Sequence, residues 1–255
     1  MQVPTAHSDD PLERSDRPVA LITGGSSGIG LATAKLLAAA GYHVAIVGRS
    51  EDRLGAAAAE IERPHADDDT GPQVIQLSAD MADADQAAWI VAQTVIEFGR
   101  IDVLVNAAAL APLVLMDQQS VELLSTTLAV NTLAPAAAVL AAWPSMVAQQ
   151  SGVIINISSM ATINPFPGFF AYAASKGALN AMTRSMAVEG RAHNIRAYSI
   201  APGAVETPML RSIASAADLP PERTLRPTQV AEVIMACIAG THPAASGDLV
   251  VLPSP

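Results

Sequence analysis

Several kinds of residue are scarce in this chain, and each scarcity excludes a class of protein. Cys237 is the single cysteine among 255 residues, so no intramolecular disulfide can form, which fits a reducing compartment. Basic residues number 14 against 24 acidic ones, which gives a net charge of −10. That balance argues against a nucleic-acid partner or an anionic membrane surface, since either would need a basic face. No uninterrupted apolar run reaches the ~18 residues of a membrane-spanning helix.

Metal-ligand spacing and a targeting signal are also missing. The five histidines are scattered along the sequence without the spacing of metal ligands, so no metal site is predicted. The first 17 residues are polar and acidic, unlike a secretory signal or an arginine-rich transit peptide. We therefore expect residues 1–17 to form a flexible tail and the protein to be cytoplasmic.

Hydrophobic residues, by contrast, make up 51% of the chain and form short runs that alternate with longer helical patterns. The predicted strands are Val19–Thr23, Val44–Gly48, Val74–Ser78, Val103–Asn106, Val153–Ile157, Arg196–Ile200 and Leu249–Leu252. The predicted helices include Gly30–Ala40, Ala87–Phe98, Val121–Ala142, Ala171–Glu189 and Thr228–Ala239. This alternation predicts one α/β domain over residues 18–255, a Rossmann-like, doubly wound sheet of about seven parallel strands with helices on both faces.

A long stretch, Glu206–Arg226, lacks a clear helix or strand pattern and is rich in alanine, proline and polar residues. Loops of this length inside a compact domain are commonly lids or binding loops. We expect it to be a mobile connection near the functional site.

A glycine-rich turn, Thr23-Gly-Gly-Ser-Ser-Gly-Ile-Gly30, joins the first predicted strand to the first helix. Glycines let the backbone turn tightly and approach a pyrophosphate without a Cβ in the way. The free amides and the dipole at the start of the helix favour negative charge. The turn therefore predicts a dinucleotide site.

Tyr172 and Lys176 stand four positions apart in a predicted helix, so they share one face of it. A positive charge about 4 Å from the phenol is worth roughly 4 kcal/mol at an intermediate effective dielectric. We expect Lys176 to lower the pKa of Tyr172 from its ordinary value near ~10, with desolvation opposing the shift. The pair then becomes an acid/base for neutral pH. Alone, this spacing also recurs by chance on solvated helices, so the surrounding motifs matter.

Ser159 precedes Tyr172 by 172 − 159 = 13 positions. With the glycine-rich turn and the Tyr172/Lys176 pair, it makes the chain resemble the short-chain dehydrogenase/reductase family, from Pro18 to Leu252. Further motifs carry the same resemblance: Asp80 after the third strand, Asn106 after the fourth, Asn131, Ile157-Ser-Ser159, and Pro202-Gly203-x-Val205-x-Thr207.

The resemblance implies a mechanism in which Tyr172 exchanges a proton with a carbonyl or alcohol oxygen while hydride passes to or from a nicotinamide. Lys176 would lower the pKa of the tyrosine and bind the nicotinamide ribose. Ser159 would hydrogen-bond the substrate oxygen. Asn131 would anchor a water linked to Lys176, and a structural hydrogen bond from Asn131 to the backbone is the alternative.

The resemblance also implies which residues contact the dinucleotide. Asp80 and Met81 would meet the adenine, Asn106 would support the strand beside the cofactor, and Val205 and Thr207 would hold the carboxamide. The whole expected set is Gly24, Ser26, Ser27, Gly28, Ile29, Gly30, Arg49, Asp80, Met81, Asn106, Tyr172, Lys176, Pro202, Gly203, Val205 and Thr207.

The cofactor's identity follows from the end of the second predicted strand. A site that prefers NAD has an acidic side chain there, but this chain has Gly48 followed by Arg49. A guanidinium can bind a 2′-phosphate that a carboxylate would repel, so NADP(H) is favoured over NAD(H). An ordinary solvated arginine is the alternative for Arg49.

Three functions are compatible with these residues. The leading hypothesis is an NADP(H)-dependent oxidoreductase that interconverts a small-molecule ketone and a secondary alcohol. A narrower reading is a 3-oxoacyl-[acyl-carrier-protein] reductase, which would need a basic patch. A different class is a non-catalytic dinucleotide-sensing protein on the same fold.

Candidate pocket residues and a subunit contact complete the expectations. The pocket would be lined by Met160, Pro165, Phe166, Phe169 and Phe170, although Phe169 and Phe170 could equally pack in the core. A homo-oligomer, a dimer or a tetramer, is expected. The alanine-rich helices Val121–Ala142 and Ala171–Glu189 could form its interface or could simply pack on the sheet.

Overall fold

A computed structural model describes residues 15–65 and 71–255 of the protein. The predicted tail of residues 1–17 falls almost entirely outside the described residues, so its flexibility stays a prediction. The described chain forms a seven-stranded sheet in which every strand is parallel to its neighbours. The predicted fold class is therefore confirmed.

The strands lie in the order β3-β2-β1-β4-β5-β6-β7. Their bounds are β1 Val19–Thr23, β2 His43–Gly48, β3 Val74–Ser78, β4 Val103–Asn106, β5 Gly152–Ile157, β6 Ile195–Pro202 and β7 Leu249–Leu252. All seven were predicted, with β2, β5 and β6 one to three residues longer than expected. The order reverses between β1 and β4, and in open parallel sheets ligands bind at such a switch point, beyond the carboxyl ends of the strands.

Eight α-helices cover the sheet in the part of the chain that the structure describes. They are α1 Gly28–Ala39, α2 Glu51–Glu62, α3 Ala84–Phe98, α4 Val121–Leu128, α5 Ala134–Gln149, α6 Phe170–Gly190, α7 Pro208–Ile213 and α8 Pro227–Ala239. Buried side chains of α1, α2 and α8 form a core on one face of the sheet, and those of α3 and α5 form a core on the other. The strands are apolar almost throughout because both faces are covered.

Two helices differ from the sequence-based prediction. The predicted helices omitted α2, although Ser50 caps it by accepting a hydrogen bond from the Arg53 amide (3.4 Å). The predicted helix Val121–Ala142 is α4 and α5 joined by a π-helical turn at Ala129–Leu133. Pro135 has no N–H, so the carbonyl of Asn131 cannot accept the usual bond from four residues ahead. The turn accommodates that missing bond.

The combined helical segment Val121–Gln149 is long and apolar enough, by length and composition, to cross a membrane. The sequence-based expectation had counted only uninterrupted apolar runs, and this segment includes scattered polar residues. In the fold its most apolar stretch is 44% buried, and α5 packs against α3. A single helix of this kind is weak evidence for a membrane, because core helices pass the same test.

The connection Glu206–Arg226, predicted as a long mobile connection, is partly helical. It contains α7, and a parallel bridge between Val205 and Leu225 closes its base. Arg211 crosses it, pairing with Glu206 and donating from Nη1 to the carbonyl of Leu219 (2.9 Å). Thr207 and Pro208 start the helix, which the polar composition did not reveal, and the mobility of the connection stays a prediction. We call the segment Glu206–Arg226 the lid.

Candidate active site

The glycine-rich turn leaves β1 and ends in the first turn of α1, as predicted. Ser27 is the residue before α1, and its side chain makes no capping hydrogen bond, so it does not occupy the amides of the first turn. A Cβ on Gly30 would lie 2.3 Å from the carbonyl oxygen of Gly24, which only glycine permits. Gly28 has φ +54, in the left-handed region, and a Cβ there would meet Thr207 at 2.9 Å. The turn is therefore a backbone cradle that fits a pyrophosphate.

The adenosine side of this cradle lies at the carboxyl ends of β2 and β3. The Ala79 amide donates to the Gly48 carbonyl (3.0 Å), which holds the two strand ends together. Asp80 is exposed and accepts from the Ala82 amide (3.0 Å), while Met81 is buried. Arg49 is exposed and, within the described chain, has no hydrogen-bond or ion-pair partner. These positions are compatible with the roles predicted for them.

Asn106 ends β4, directly beside the turn. Its Nδ2 donates to Oδ1 of Asn156 (2.9 Å) on β5, and Thr23 on β1 accepts from the Ala107 and Ala108 amides (3.1 and 3.2 Å). These bonds fix the ends of three neighbouring strands at the switch point. Oδ1 of Asn106 is buried and has no hydrogen-bond partner among the described residues. A buried acceptor without a donor is unusual and suits a site that a ligand completes.

The segment after β6 lies over the turn. A Cβ on Gly203, next to Pro202, would lie 2.7 Å from the Ser254 amide, so this glycine is needed for a close approach of the C-terminal residues. Val205 is buried at the base of the lid. Thr207 caps α7 by accepting from the Leu210 amide (3.2 Å) and faces Gly28. Residues 202–207 and the turn therefore enclose one cleft.

The predicted acid/base residues converge at the same end of the sheet. Ser159 lies just beyond β5, where its Oγ accepts from the Ala161 amide (3.1 Å), and its hydroxyl is near enough to the Tyr172 phenol of α6 to influence the pKa of that phenol. Lys176 lies one turn further along α6, with Nζ 5.8 Å from the centroid of the Tyr172 ring. The predicted shared face of Tyr172 and Lys176 is confirmed. Nζ of Lys176 donates to the Ile157 carbonyl (2.7 Å), and the side chain is 2% exposed.

The expected lowering of the Tyr172 pKa is wrong for the protein without a bound ligand. Burial raises the pKa of Tyr172, and the hydrogen bond from Ser159 lowers it by less. Burial also lowers the pKa of Lys176 to about 7, since a carbonyl is its only partner among the described residues. Near neutral pH the amine is then only partly charged, so it stabilises a phenolate less than a permanent cation would.

Asn131 occupies the π-helical turn, and its side chain is fully used in structural bonds. Oδ1 accepts from the Leu110 amide (2.7 Å), while Nδ2 donates to the Leu110 carbonyl (2.8 Å) and to Oγ of Ser175 (3.0 Å). The alternative weighed from the sequence, a bond to the backbone, therefore describes the side chain. Asn131 ties the loop after β4 to α6, next to Lys176.

One element of the site was missed from the sequence. A buried polar chain runs behind the strands: Nδ2 of Asn156 donates to Oγ1 of Thr183 (2.9 Å), which also accepts from Oγ of Ser199 (2.8 Å). Asn156 interrupts the apolar run of β5, a pattern that could have drawn attention to it. Phe169, predicted either to line the pocket or to pack in the core, has its ring 5.4 Å from the Tyr172 ring.

The aromatic residues predicted to line a pocket are not in the core. Phe166 is 65% exposed and Phe170 is 46% exposed, whereas Phe169 is partly buried against Tyr172. Metal chemistry finds no support in residues 15–65 and 71–255, where no group of three or more His, Cys, Asp or Glu side chains could hold an ion.

Together the parallel sheet, the glycine cradle and the Ser159/Tyr172/Lys176 cluster define a dinucleotide-dependent oxidoreductase site. The chain belongs to the short-chain dehydrogenase/reductase family: the family model described as short chain dehydrogenase matches residues 18–218. The family's cofactor is an NAD(P) dinucleotide. The residues of the cradle fit such a group.

Among similar proteins is the 2-(R)-hydroxypropyl-CoM dehydrogenase of Xanthobacter autotrophicus, 38% identical over 75% of this chain and 76% of that protein. The 3-oxoacyl-[acyl-carrier-protein] reductase FabG of Thermotoga maritima is 35% identical over 87% of this chain and 90% of its own. A short chain dehydrogenase of Pseudocercospora fijiensis is 37% identical over 74% of this chain, and the match spans only 60% of that protein. The crystal structure of levodione reductase superposes with a TM-score of 0.84, at 28% identity, over 94% of this chain and 97% of its own.

Proposed function

We propose that the protein is an NADP(H)-dependent oxidoreductase that interconverts a ketone and a secondary alcohol. The observation that carries the proposal is the convergence of the Ser159 hydroxyl and the Tyr172 phenol at one end of the sheet, with the buried amine of Lys176 on the same helix face as the phenol. The pair stands at the carboxyl end of β5, beside the glycine cradle, where a bound substrate oxygen could meet both hydroxyls.

The bound nicotinamide supplies or accepts the hydride. In the direction of reduction, the carbonyl π bond breaks, a new C–H bond forms, and Tyr172 gives its proton to the oxygen. Ser159 donates a hydrogen bond that polarises the carbonyl and fixes its position. Lys176, held by the Ile157 carbonyl, favours the phenolate when it is protonated. In oxidation, the phenolate accepts the alcohol proton.

The preference for NADP(H) rests on the end of β2. No carboxylate stands at Gly48, and the unpaired guanidinium of Arg49 is exposed beside the cradle. Ser26 comes close to the same point, since a Cβ on Gly48 would lie 3.1 Å from its Oγ. A cation and a hydroxyl near the ribose favour a 2′-phosphate.

The test compares the rates of hydride transfer by the parent and by Tyr172→Phe. The rates are monitored through the absorbance of the nicotinamide, with a panel of carbonyl compounds as substrates. We expect the variant to lose about 10²–10⁴-fold in turnover, because it lacks the proton donor. Tyr198→Phe is the matched control, since Tyr198 is a core phenol with only a long hydrogen bond from Arg196 (3.4 Å). Equal turnover by Tyr172→Phe and the parent would overturn the proposed mechanism.

Two other functions have weaker support. An acyl-carrier-protein reductase is suggested by the similarity to the Thermotoga protein, but Lys176 is the only charged residue from Ser151 to Thr183, so this stretch supplies no basic patch. A non-catalytic dinucleotide sensor would have no need of the intact Ser159, Tyr172 and Lys176 set. Dinucleotide binding without turnover on any carbonyl would favour the sensor.

We also propose a homo-oligomer formed through the exposed side of α4–α6. Val121, Leu133, Leu140 and Val188 are apolar and between 57% and 74% exposed on these helices. Exposed apolar surface of this kind favours association with a second copy. Light scattering of the parent and of Leu140→Glu tests it, with a smaller mass expected for the variant. The cytoplasmic location stays a prediction.

A further inference from the structure

The entrance to the cleft is built from two loops that are tied together. The first is residues 107–116, which follow β4, and the second is residues 160–169, which precede α6. The Val114 amide donates to the Gly168 carbonyl (3.0 Å), and Gly168, at φ +89, packs against Leu113. Asn131 anchors the first loop at Leu110. We call these two loops the entrance loops.

The entrance loops carry no charged side chain. None occurs from Ala107 to Met116, and from Ser151 to Thr183 the only charge is Lys176, which is buried against Ile157. The lid brings Arg211 near, but Glu206 pairs with that guanidinium, and two main-chain carbonyls accept its remaining hydrogen bonds. An anionic substrate would therefore meet no free cation on the entrance loops.

Apolar side chains take the place of charges on these loops. Leu113, Leu115, Ile163 and Phe166 are each between 49% and 65% exposed, an unusual density for two adjacent short loops. Met209, at the start of α7 in the lid, is 36% exposed. Large apolar side chains left in contact with water around a cleft mark a ligand-binding surface.

Three aromatic rings connect this surface to the reacting phenol. Phe169 lies at a tilt against Tyr172, with ring centroids 5.4 Å apart, and Phe166 meets Phe169 edge-on at 6.2 Å. The rings form a continuous aromatic wall from the proton donor to the solvent-exposed rim. Such ring distances are those of favourable aromatic pairs, so a substrate ring could extend the series.

We propose that the substrate is an uncharged ketone, or the matching alcohol, with an aromatic substituent that packs on the wall formed by Phe166 and Phe169. This inference rests on the proposed function and specifies its substrate class. The aromatic group would lie along the entrance loops while the carbonyl oxygen meets Ser159 and Tyr172. A longer acyl chain, a carboxylate group or a phosphorylated carrier on the substrate would gain no additional contact with the entrance loops.

The probes are propiophenone, acetone, pyruvate and an acetoacetyl thioester of coenzyme A, each reduced with saturating NADPH. We expect kcat/KM for propiophenone to exceed that for acetone at least ~30-fold, as burial of a phenyl group at ~2 kcal/mol or more implies. Pyruvate and the thioester should be poorer than propiophenone. A preference for either anionic probe would overturn the proposal.

Phe166→Ala provides the decisive variant, because Phe166 is exposed and does not touch Tyr172. We expect kcat/KM for propiophenone to fall about 10-fold, mainly through KM, with acetone unchanged. Ile96→Ala, which removes an equally exposed apolar side chain from α3, is the control and should change neither. Equal effects of Phe166→Ala on both ketones would refute the aromatic wall.

Failure of this inference can be told apart from failure of the proposed function. If acetone or a charged carbonyl is reduced in preference to propiophenone, and in a Tyr172-dependent manner, the mechanism stands and the substrate class is wrong. Arg223 and Arg226, in the C-terminal part of the lid, are then the cations to test. If no carbonyl is reduced at all, the proposed function itself is refuted.

Discussion

The cofactor side and the substrate side of the cleft use different parts of the chain, main-chain groups in the first and side chains in the second. On the cofactor side, the turn between β1 and α1 binds through main-chain groups, and its side chains are small or absent. On the substrate side, buried polar side chains of β5 and α6 position the phenol. A site formed by main-chain groups requires that no side chain fills the space beside them. A site formed by buried polar side chains requires that each of them keeps its hydrogen-bond partner. The two sides should therefore fail under different substitutions, and the following experiments test that difference.

The largest effect is expected from Gly30→Ala on the cofactor side. The new methyl would meet the Gly24 carbonyl at 2.3 Å, so the backbone of the turn must shift. We expect no measurable NADPH binding by fluorescence and a loss of roughly 1–3 kcal/mol in the free energy of unfolding.

Gly177→Ala is the matched change on the substrate side. No atom lies within 4 Å of the place its Cβ would take, and the residue is inside α6 next to Lys176. Alanine in a helix interior should stabilise the protein by about 0.5–1 kcal/mol. If both alanine variants behave alike in urea unfolding, the distinction between the two sides is wrong.

Lys176→Met should separate function from stability on the substrate side. We expect turnover to fall about 10²–10⁴-fold, because the group that favours the phenolate is gone. The folded protein holds the pKa of Lys176 at about 7, below the ordinary 10.5. Between those two values the unfolded chain binds more protons than the folded one, so the parent's stability rises with pH.

The measurement for Lys176→Met is urea unfolding of parent and variant at pH 7, 8.5 and 10. The variant should be more stable than the parent at pH 7, and this advantage should shrink as the pH rises. A difference that does not change with pH would mean that the buried amine does not titrate in this range.

Thr183→Val tests whether side-chain partners hold the substrate side. It removes the acceptor for Asn156 and Ser199, leaving buried donors unsatisfied at a cost of about 1–3 kcal/mol. Thr33→Val on α1 is the control, since Oγ1 of Thr33 donates only to the Ile29 carbonyl (2.8 Å). Thermal unfolding should show the larger loss for Thr183→Val, and the reverse order would contradict the comparison.

The smallest change is expected for Arg49→Ala, the one charged contact proposed on the cofactor side. Loss of a charge-assisted bond to the 2′-phosphate should weaken NADPH binding about 10-fold and leave NADH binding unchanged. Arg53→Ala, in the first turn of α2, serves as the control for net charge. Equal weakening of both dinucleotides would make Arg49 an ordinary surface arginine.

The sequence was sufficient for the sheet and for bringing the candidate site residues to one end of it. Strands buried on both faces, the glycine turn and the spacing of Tyr172 and Lys176 are local patterns, and the structure places them as predicted. The predicted direction of the Tyr172 pKa shift was wrong, because the shift depends on burial, and burial depends on packing that no local pattern reveals. The bonds of Asn131 to Leu110 join residues 21 positions apart, and they too required the folded chain.

The lid shows the same limit from another side. Its composition indicated a long connection and no helix, but α7 follows Thr207, a capping residue, and begins at Pro208. The ion pair between Glu206 and Arg211 joins residues five positions apart and could have been suspected. The bridge between Val205 and Leu225 could not, because it depends on the path of the intervening residues.

Arg211 has a mechanical consequence for that segment. Arg211 binds both the side chain of Glu206 and the carbonyl of Leu219, so it links the N-terminal part of the lid to its later residues. A displacement of one part must carry the other with it, unless the ion pair breaks. The lid would therefore move as one rigid body about its base at Val205 and Leu225. Entry of a substrate would then require rotation of the whole lid at this base, and not local unfolding of its outer residues.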